Sequence, residues 1–71
     1  MKTDVVGKIS GDLMDGWYVI IKDDLINTGG YLMIYSPNAD FGGEGYDDWF
    51  ETLCEAERNL RFKNICINWL D

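Results

Sequence analysis

Two apolar runs rich in β-branched and aromatic residues constrain the fold of this chain most. Residues 17–22 have the sequence WYVIIK, and residues 31–35 have the sequence YLMIY. Side chains of these types favour strands. The segment between the runs ends in two glycines, Gly29 and Gly30, which tolerate the positive φ angles of a chain reversal. The sequence therefore predicts an antiparallel hairpin whose connection is longer than a two-residue turn.

Two weaker strands flank this hairpin in the sequence. Residues 5–9 form a candidate first strand, followed by a turn between Gly11 and Gly16, and residues 65–70 form a candidate last strand. In residues 17–22 both faces are largely apolar, which is typical of a central strand. In residues 65–70 the isoleucines and Trp69 share one face, which we expect to face the core.

An amphipathic helix is predicted from Asp47 or Asp48 to about Leu60. Asp48 with Glu51 matches a capping box, and Asp47 and Asp48 suit the positive end of a helix dipole. At helical spacing one apolar stripe forms, made of Tyr46, Trp49, Phe50, Leu53, Ala56 and Leu60. Glu57 falls within that stripe, where Arg61 can pair with it.

These elements predict a single α+β domain spanning residues 1–71. Its fold would be a small antiparallel sheet of three or four strands with one amphipathic helix packed on one face, in the order β-β-β-α-β. A chain of 71 residues buries a small core, so large aromatic side chains matter, and we expect Trp49 and Trp69 between sheet and helix. Cys54 and Cys66 are expected to be small, reduced core residues, with a disulfide as the alternative.

The charge of the chain is concentrated in one segment. The formal net charge is −7, and residues 40–57 alone supply −7, while residues 1–39 give −2 and residues 58–71 give +2. This acidic segment has no basic residue and contains Asp40, Glu44, Asp47, Asp48, Glu51, Glu55 and Glu57. A focused negative field attracts a positively charged partner.

Several function classes fit this sequence poorly. The chain has no histidine, so no serine–histidine or cysteine–histidine pair can form, and we expect no enzyme and no cofactor. An acidic surface repels nucleic acid and anionic membranes. No apolar run is long enough for a signal peptide or a membrane span, so a cytoplasmic location is expected. Two cysteines without histidine do not make an ordinary zinc site, and no metal site is assigned.

We therefore expect a small inhibitor or adaptor that docks a carboxylate-rich helix and loop into a basic groove of another protein. Basic grooves usually belong to nucleic-acid enzymes, so the carboxylates would stand where phosphates normally lie, as in a nucleic-acid mimic. Exposed aromatic side chains on the sheet would add lasting contact. The predicted partner-binding residues are Asp40, Glu44, Asp47, Asp48, Glu51, Glu55, Tyr18, Tyr31 and Tyr35.

Four glycine–aromatic or asparagine–aromatic stretches carry a family resemblance. They are residues 16–18 (GWY), 29–31 (GGY), 45–49 (GYDDW) and 68–70 (NWL). In size and style this set, which covers most of the chain from Gly16 onward, resembles small bacterial immunity proteins, which inhibit toxins. The chain is also similar in size and acidity to phage-encoded anti-defence inhibitors, including anti-CRISPR proteins. Both resemblances imply a protein partner and no catalytic residues.

Two other function classes fit the same sequence. One is a homo-oligomeric structural module, such as a homodimer, whose acidic surface only keeps it in solution. The other is a sensor domain that binds calcium or a small ligand through its oxygen-rich loops, which include Asp23, Asp24 and Asn27 as well as the residues near Asp40.

Overall fold

A computed structural model describes residues 2–11 and 14–70 of the chain. In that part of the chain, one five-stranded antiparallel sheet combines with two helices, which confirms the predicted α+β class; the predicted three or four strands and one helix are too few. The elements are β1 (Val6–Ser10), β2 (Tyr18–Asp24), α1 (Leu25–Thr28), β3 (Gly30–Ser36), β4 (Tyr46–Phe50), α2 (Leu53–Phe62) and β5 (Cys66–Trp69). The strand order across the sheet is β4-β3-β2-β1-β5.

The predicted hairpin is the centre of this sheet. Strands β2 and β3 pair along their whole length, from Tyr18 opposite Ser36 to Asp24 opposite Gly30. Their connection is the single helical turn α1, which ends at Gly29 with a φ of 79°. A left-handed residue of this kind is easiest for glycine, as the sequence predicts.

The turn predicted before β2 is confirmed at its ends. Gly11 and Gly16 have φ angles of 96° and 86°, and Gly16 donates its N–H to the carbonyl oxygen of Ile9 at 2.8 Å. Asp12 and Leu13, which belong to the same predicted turn, lie outside the described residues.

One face of the sheet forms the core with α2. Alternation along the strands sends Ile9 of β1, Val19 and Ile21 of β2, and Met33 and Tyr35 of β3 to this face, where each is at most 2 % exposed. Ala56 and Leu60 of α2 are buried as well, as the predicted stripe requires. Trp17, Ile67 and Trp69 pack partly buried around this core, and Gly7 leaves the room that Trp69 and Ile67 fill.

The predicted start of the helix is wrong. Residues 46–50 form the edge strand β4, which pairs with β3 from Tyr46 opposite Tyr35 to Phe50 opposite Tyr31. The helix begins at Leu53, and the hydroxyl oxygen of Thr52 accepts a hydrogen bond from the N–H of Glu55 at 3.1 Å. Thr52 is therefore the N-cap, and neither the Asp48–Glu51 capping box nor the dipole role of Asp47 and Asp48 exists.

The physical reason lies in the open edge of β3, which YDDWF pairs with. Tyr46 and Phe50 face the core side when these residues are extended, and the pairing satisfies the backbone groups of β3 that would otherwise lie at an open edge. Trp49 consequently faces the helix-free side of the sheet. It is 45 % exposed, and its indole N–H donates to Thr28 Oγ1 at 2.8 Å, so its predicted core position is wrong.

Both cysteines are exposed and free, which corrects their predicted burial. Cys54 lies in the first turn of α2 outside the apolar stripe, next to Leu53. Cys66 begins β5 with its side chain on the helix-free face, because Ile65 and Ile67 take the core side. The same alternation gives Trp69 its predicted place against the core.

Replacing Ile21 by alanine tests the position of the core. Ile21 has no exposed surface, so we expect Ile21→Ala to lower the free energy of unfolding by about 2–5 kcal/mol through the cavity it leaves. Urea unfolding followed by tryptophan fluorescence measures this loss. Ile26, which is 99 % exposed in α1, provides the matched control, and Ile26→Ala should change stability by less than about 0.5 kcal/mol. Equal losses in the two variants would contradict this core.

Replacing Thr52 tests where the long helix begins. We expect Thr52→Ala to lower the free energy of unfolding by about 1 kcal/mol, because the N–H of Glu55 loses its acceptor. Thr52→Ser keeps a hydroxyl at the same place and should retain most of the stability. Asp48→Asn should cost much less than Thr52→Ala in the same urea titration. A larger cost for Asp48→Asn would instead support a helix that starts at Asp48.

A candidate protein-binding edge

The carboxylates of the acidic segment gather along one edge of the sheet. They lie on the connection between β3 and β4, on the edge strand β4 itself, and on the entry into α2. Five of them are exposed, and we call these five the acidic edge: Asp40, Glu44, Asp47, Glu51 and Glu55. Three successive chain segments thus place negative charge on the side of the molecule farthest from β5.

The connection before β4 is held by its own hydrogen bonds. Asn38 donates its side-chain N–H to the carbonyl oxygen of Gly42 at 2.9 Å, and Asp40 Oδ1 accepts the N–H of Gly42 at 3.0 Å. The buried Ser36 donates its hydroxyl to the carbonyl oxygen of Glu44 at 3.2 Å. These bonds fix the backbone at both ends of the connection, so that the carboxylates of Asp40 and Glu44 project from a shaped loop.

Strand alternation separates Asp47 from Asp48. Asp47 lies exposed on the helix-free face, whereas Asp48 is half-buried on the helix side, with its Oδ2 3.8 Å from Lys63 Nζ. The predicted helical stripe of Asp48, Glu51 and Glu55 therefore does not exist. Asp48 has a local partner and is the carboxylate of the predicted set that is least available to a binding partner.

The acidic edge is not neutralised from within the protein. Within residues 2–11 and 14–70, none of its five carboxylates has an ion-pair partner within 4.0 Å. Glu57 is different, since it pairs with Arg61 as predicted. That pair lies at the surface, with 45 % of the Glu57 side chain exposed, rather than within the apolar stripe. Glu55 also has a structural role, because it lies in the first turn of α2, where a negative charge favours the helix.

Only one of the three predicted binding tyrosines lies on the helix-free face. Tyr18 is half-buried there, with Lys8 Nζ 5.7 Å from its ring centroid. Tyr31 lies on the core side, packed partly buried against the core. Tyr35 has no exposed surface, and its hydroxyl contacts Met33 Sδ at 3.0 Å, so it cannot touch a partner. Side chains alternate between the two faces along β3, and Tyr35 falls on the core face beside Val19. This alternation explains why Tyr35 is buried.

Aromatic residues that the sequence interpretation placed in the core flank the acidic edge instead. Tyr46 is 52 % exposed and Trp49 is 45 % exposed, on opposite faces of β4. The hydroxyl of Tyr46 contacts Met14 Sδ at 2.9 Å, and its ring lies 5.4 Å from that of Tyr35. The aromatic content of YDDWF, which favours strands, was the one signal that could have pointed to strand residues here.

A shallow groove adjoins the acidic edge at the start of α2. It encloses about 350 Å³ and is lined by Phe50, Glu55, Arg58, Asn59 and Phe62. Phe62 is 87 % exposed, although it ends an otherwise amphipathic helix. The side-chain oxygen of Asn59 is buried and has no hydrogen-bond partner among the described residues. The exposed ring of Phe62 makes this groove a candidate for apolar contact with a partner.

The described residues contain no cluster of three or more histidine, cysteine, aspartate or glutamate side chains that could hold a metal ion. The oxygen-rich residues near α1 are engaged locally: Asn27 donates to Asp24 Oδ1 at 3.0 Å, and Asp23 Oδ1 accepts the N–H of Leu25 at 3.1 Å.

None of the helices in residues 2–11 and 14–70 has the length and apolar character needed to cross a membrane.

Comparison with known proteins gives no match, whether with a protein-family model, a curated protein or a solved structure.

The burial of Tyr35 predicts how the stability of the protein changes at alkaline pH. Burial, aided by the negative charge of Asp48 and by the nearby Tyr46, raises the pKa of the Tyr35 phenol well above its ordinary value of 10.0. Above pH 10 the unfolded chain loses this proton while the folded chain keeps it, so stability falls as pH rises. We expect wild-type stability to fall more steeply than that of Tyr35→Phe, by up to about 1.4 kcal/mol per pH unit.

Urea unfolding of both proteins between neutral pH and pH 11 measures this difference. Below the unfolded-state pKa the two curves should run parallel, because the phenol is protonated in both states. Parallel curves above pH 10 as well would show that Tyr35 is not buried in the folded protein.

Proposed function

We propose that this protein is a small inhibitor that docks its acidic edge into a basic groove of another protein. The observation that carries the proposal is the row of five exposed carboxylates with no ion-pair partner among the described residues. Like charges placed along one edge repel each other, and interleaved lysines would remove that cost. A partner with complementary positive charge gives the arrangement a use.

The geometry of the edge supports different roles for its charged groups and its apolar groups in binding. The carboxylates would steer the encounter and stand where the phosphates of a nucleic acid lie in the partner's groove. Trp49 and the groove beside Phe62 would supply the apolar contacts that slow dissociation. Two settings use this contact: immunity to a bacterial toxin, and phage inhibition of a defence complex that handles nucleic acid.

Neutralising part of the acidic edge tests the proposal. The triple variant Asp47→Asn, Glu51→Gln, Glu55→Gln raises the formal charge from −7 to −4. We expect the wild-type protein, immobilised at low salt, to capture a basic protein from a lysate of its source, and heparin or added salt to release it. The triple variant should lose at least about tenfold in affinity for the captured protein, because several charge contacts are lost together.

A matched control separates the effect of where the charges lie from the effect of the net charge on binding. Asp4→Asn, Asp15→Asn, Asp23→Asn produces the same net charge at residues outside the acidic edge, and asparagine keeps the side-chain oxygens that accept from Gly11 and Leu25. This control should bind like the wild type. Phe62→Ser, at an exposed position, should weaken binding without lowering the thermal midpoint. Equal loss in the two triple variants, or capture that does not depend on salt, would refute the proposal.

A further inference from the structure

The second edge of the sheet is formed by β5, whose backbone groups alternate between β1 and the outside. The N–H of Leu70 donates to the carbonyl oxygen of Val6 at 2.8 Å, and Asn68 stands opposite Lys8 in the same register. Because hydrogen-bonded pairs alternate in an antiparallel ladder, Asn68 and Leu70 bond to β1. Ile67 and Trp69 therefore direct their backbone N–H and C=O groups away from the sheet.

The side chains of β5 offer no protection against strand pairing. Proteins usually guard an edge strand with charged residues, proline or a bulge. Strand β4 follows this rule, since Asp47 and Asp48 lie within it. Strand β5 has the sequence CINW, without charge, proline or glycine, and it continues in register to the 52 % exposed Leu70. It is an uncharged template for one more strand.

The distribution of charge allows a second copy of the chain to supply the strand that pairs with β5. A protein with a net charge of −7 repels its own copies, but the charge resides in residues 40–57, on and around β4. Four strand spacings, about 19 Å, separate β4 from β5, which exceeds a screening length of about 8 Å in physiological salt. The acidic edge lies at β4, so the approach of two copies through β5 meets less repulsion than their approach through β4.

We propose that two copies of this protein pair through β5, antiparallel and about a twofold axis, to form one continuous ten-stranded sheet. Ile67 of each copy then pairs with Trp69 of the other copy. These two pairs give four backbone hydrogen bonds. In that register Asn68 lies directly opposite Asn68 of the second copy, in a pair without backbone bonds, where the Cα atoms approach to about 4.5 Å. The interface is isologous and leaves both acidic edges free.

The mass of the protein in solution is the first test. Two short edges bury little surface, so we expect a weak dimer that appears in sedimentation equilibrium as the concentration rises towards the millimolar range. Its mass approaches twice the 8.2 kDa of the chain. Salt should favour the dimer by screening the net charge, which is opposite to its effect on the proposed partner complex. A single species of 8.2 kDa at every concentration and salt would overturn the proposal.

A charge at the centre of the interface is the second test. Asn68→Asp places two carboxylates opposite each other and should raise the dimer dissociation constant by about fivefold or more. Within one copy the new carboxylate stands beside Lys8, which favours folding. Ile26→Asp adds the same charge at a 99 % exposed site and should leave most of the dimer intact. Equal weakening by both substitutions would overturn the proposal.

A disulfide trap fixes the register. In a background of Cys54→Ser and Cys66→Ser, Asn68→Cys should form an intermolecular disulfide under mild oxidation, because the expected Cα separation of about 4.5 Å suits the bond. Lys8→Cys in the same background is the control. Its twin lies three strand spacings away, about 14 Å, and should remain reduced. Equal cross-linking of the two variants would overturn the register, whereas failure of the acidic-edge variants to affect partner binding would bear only on the proposed function.

Discussion

The antiparallel pairing of β2 with β3 positions every other element of this protein. It brings Val19 beside Tyr35 and Ile21 beside Met33, and none of these four side chains has exposed surface. The middle of the hairpin is thus covered on its core face, whereas Asp23 near its end is exposed. Strands β1 and β5 add to one side of it and β4 to the other, while α2 covers the buried row. A small chain obtains its core by concentrating large side chains at this one pairing.

The sequence predicted the parts of the fold that depend on local patterns. The hairpin, the alternation in β2 and β5, and the α2 positions Ala56 and Leu60 all follow from side-chain periodicity, and the structure confirms them. The start of the helix could not be predicted in this way, because Tyr46, Trp49 and Phe50 satisfy a helical stripe as well as an edge strand. The choice depended on β3, whose second edge needed a partner. The same uncertainty affected the candidate site, because Asp48 is half-buried beside Lys63 and Trp49 is exposed next to the acidic edge.

The correction changes the proposed site physically. On a helix, Asp48, Glu51 and Glu55 would form one stripe. In the sheet, loop, strand and helix entry each contribute carboxylates, so the negative field extends along an edge rather than around a cylinder. The groove beside Phe62 lies at the end of that edge and shares Glu55 with it. Charge and apolar contact therefore adjoin each other, an arrangement in which the same partner can use both.

The two edges of the sheet differ in charge, and the two proposals assign a different contact to each edge. Asp47 and Asp48 prevent β4 from pairing with another β4, while β5 has no such barrier. In a β5-paired dimer the two acidic edges would lie at opposite ends of ten strands, about 43 Å apart. Two edges at that separation can engage two basic grooves of an assembly at once, and the second contact then forms at a high effective concentration. A weak dimer would thereby strengthen binding to a repetitive partner much more than binding to a single protein.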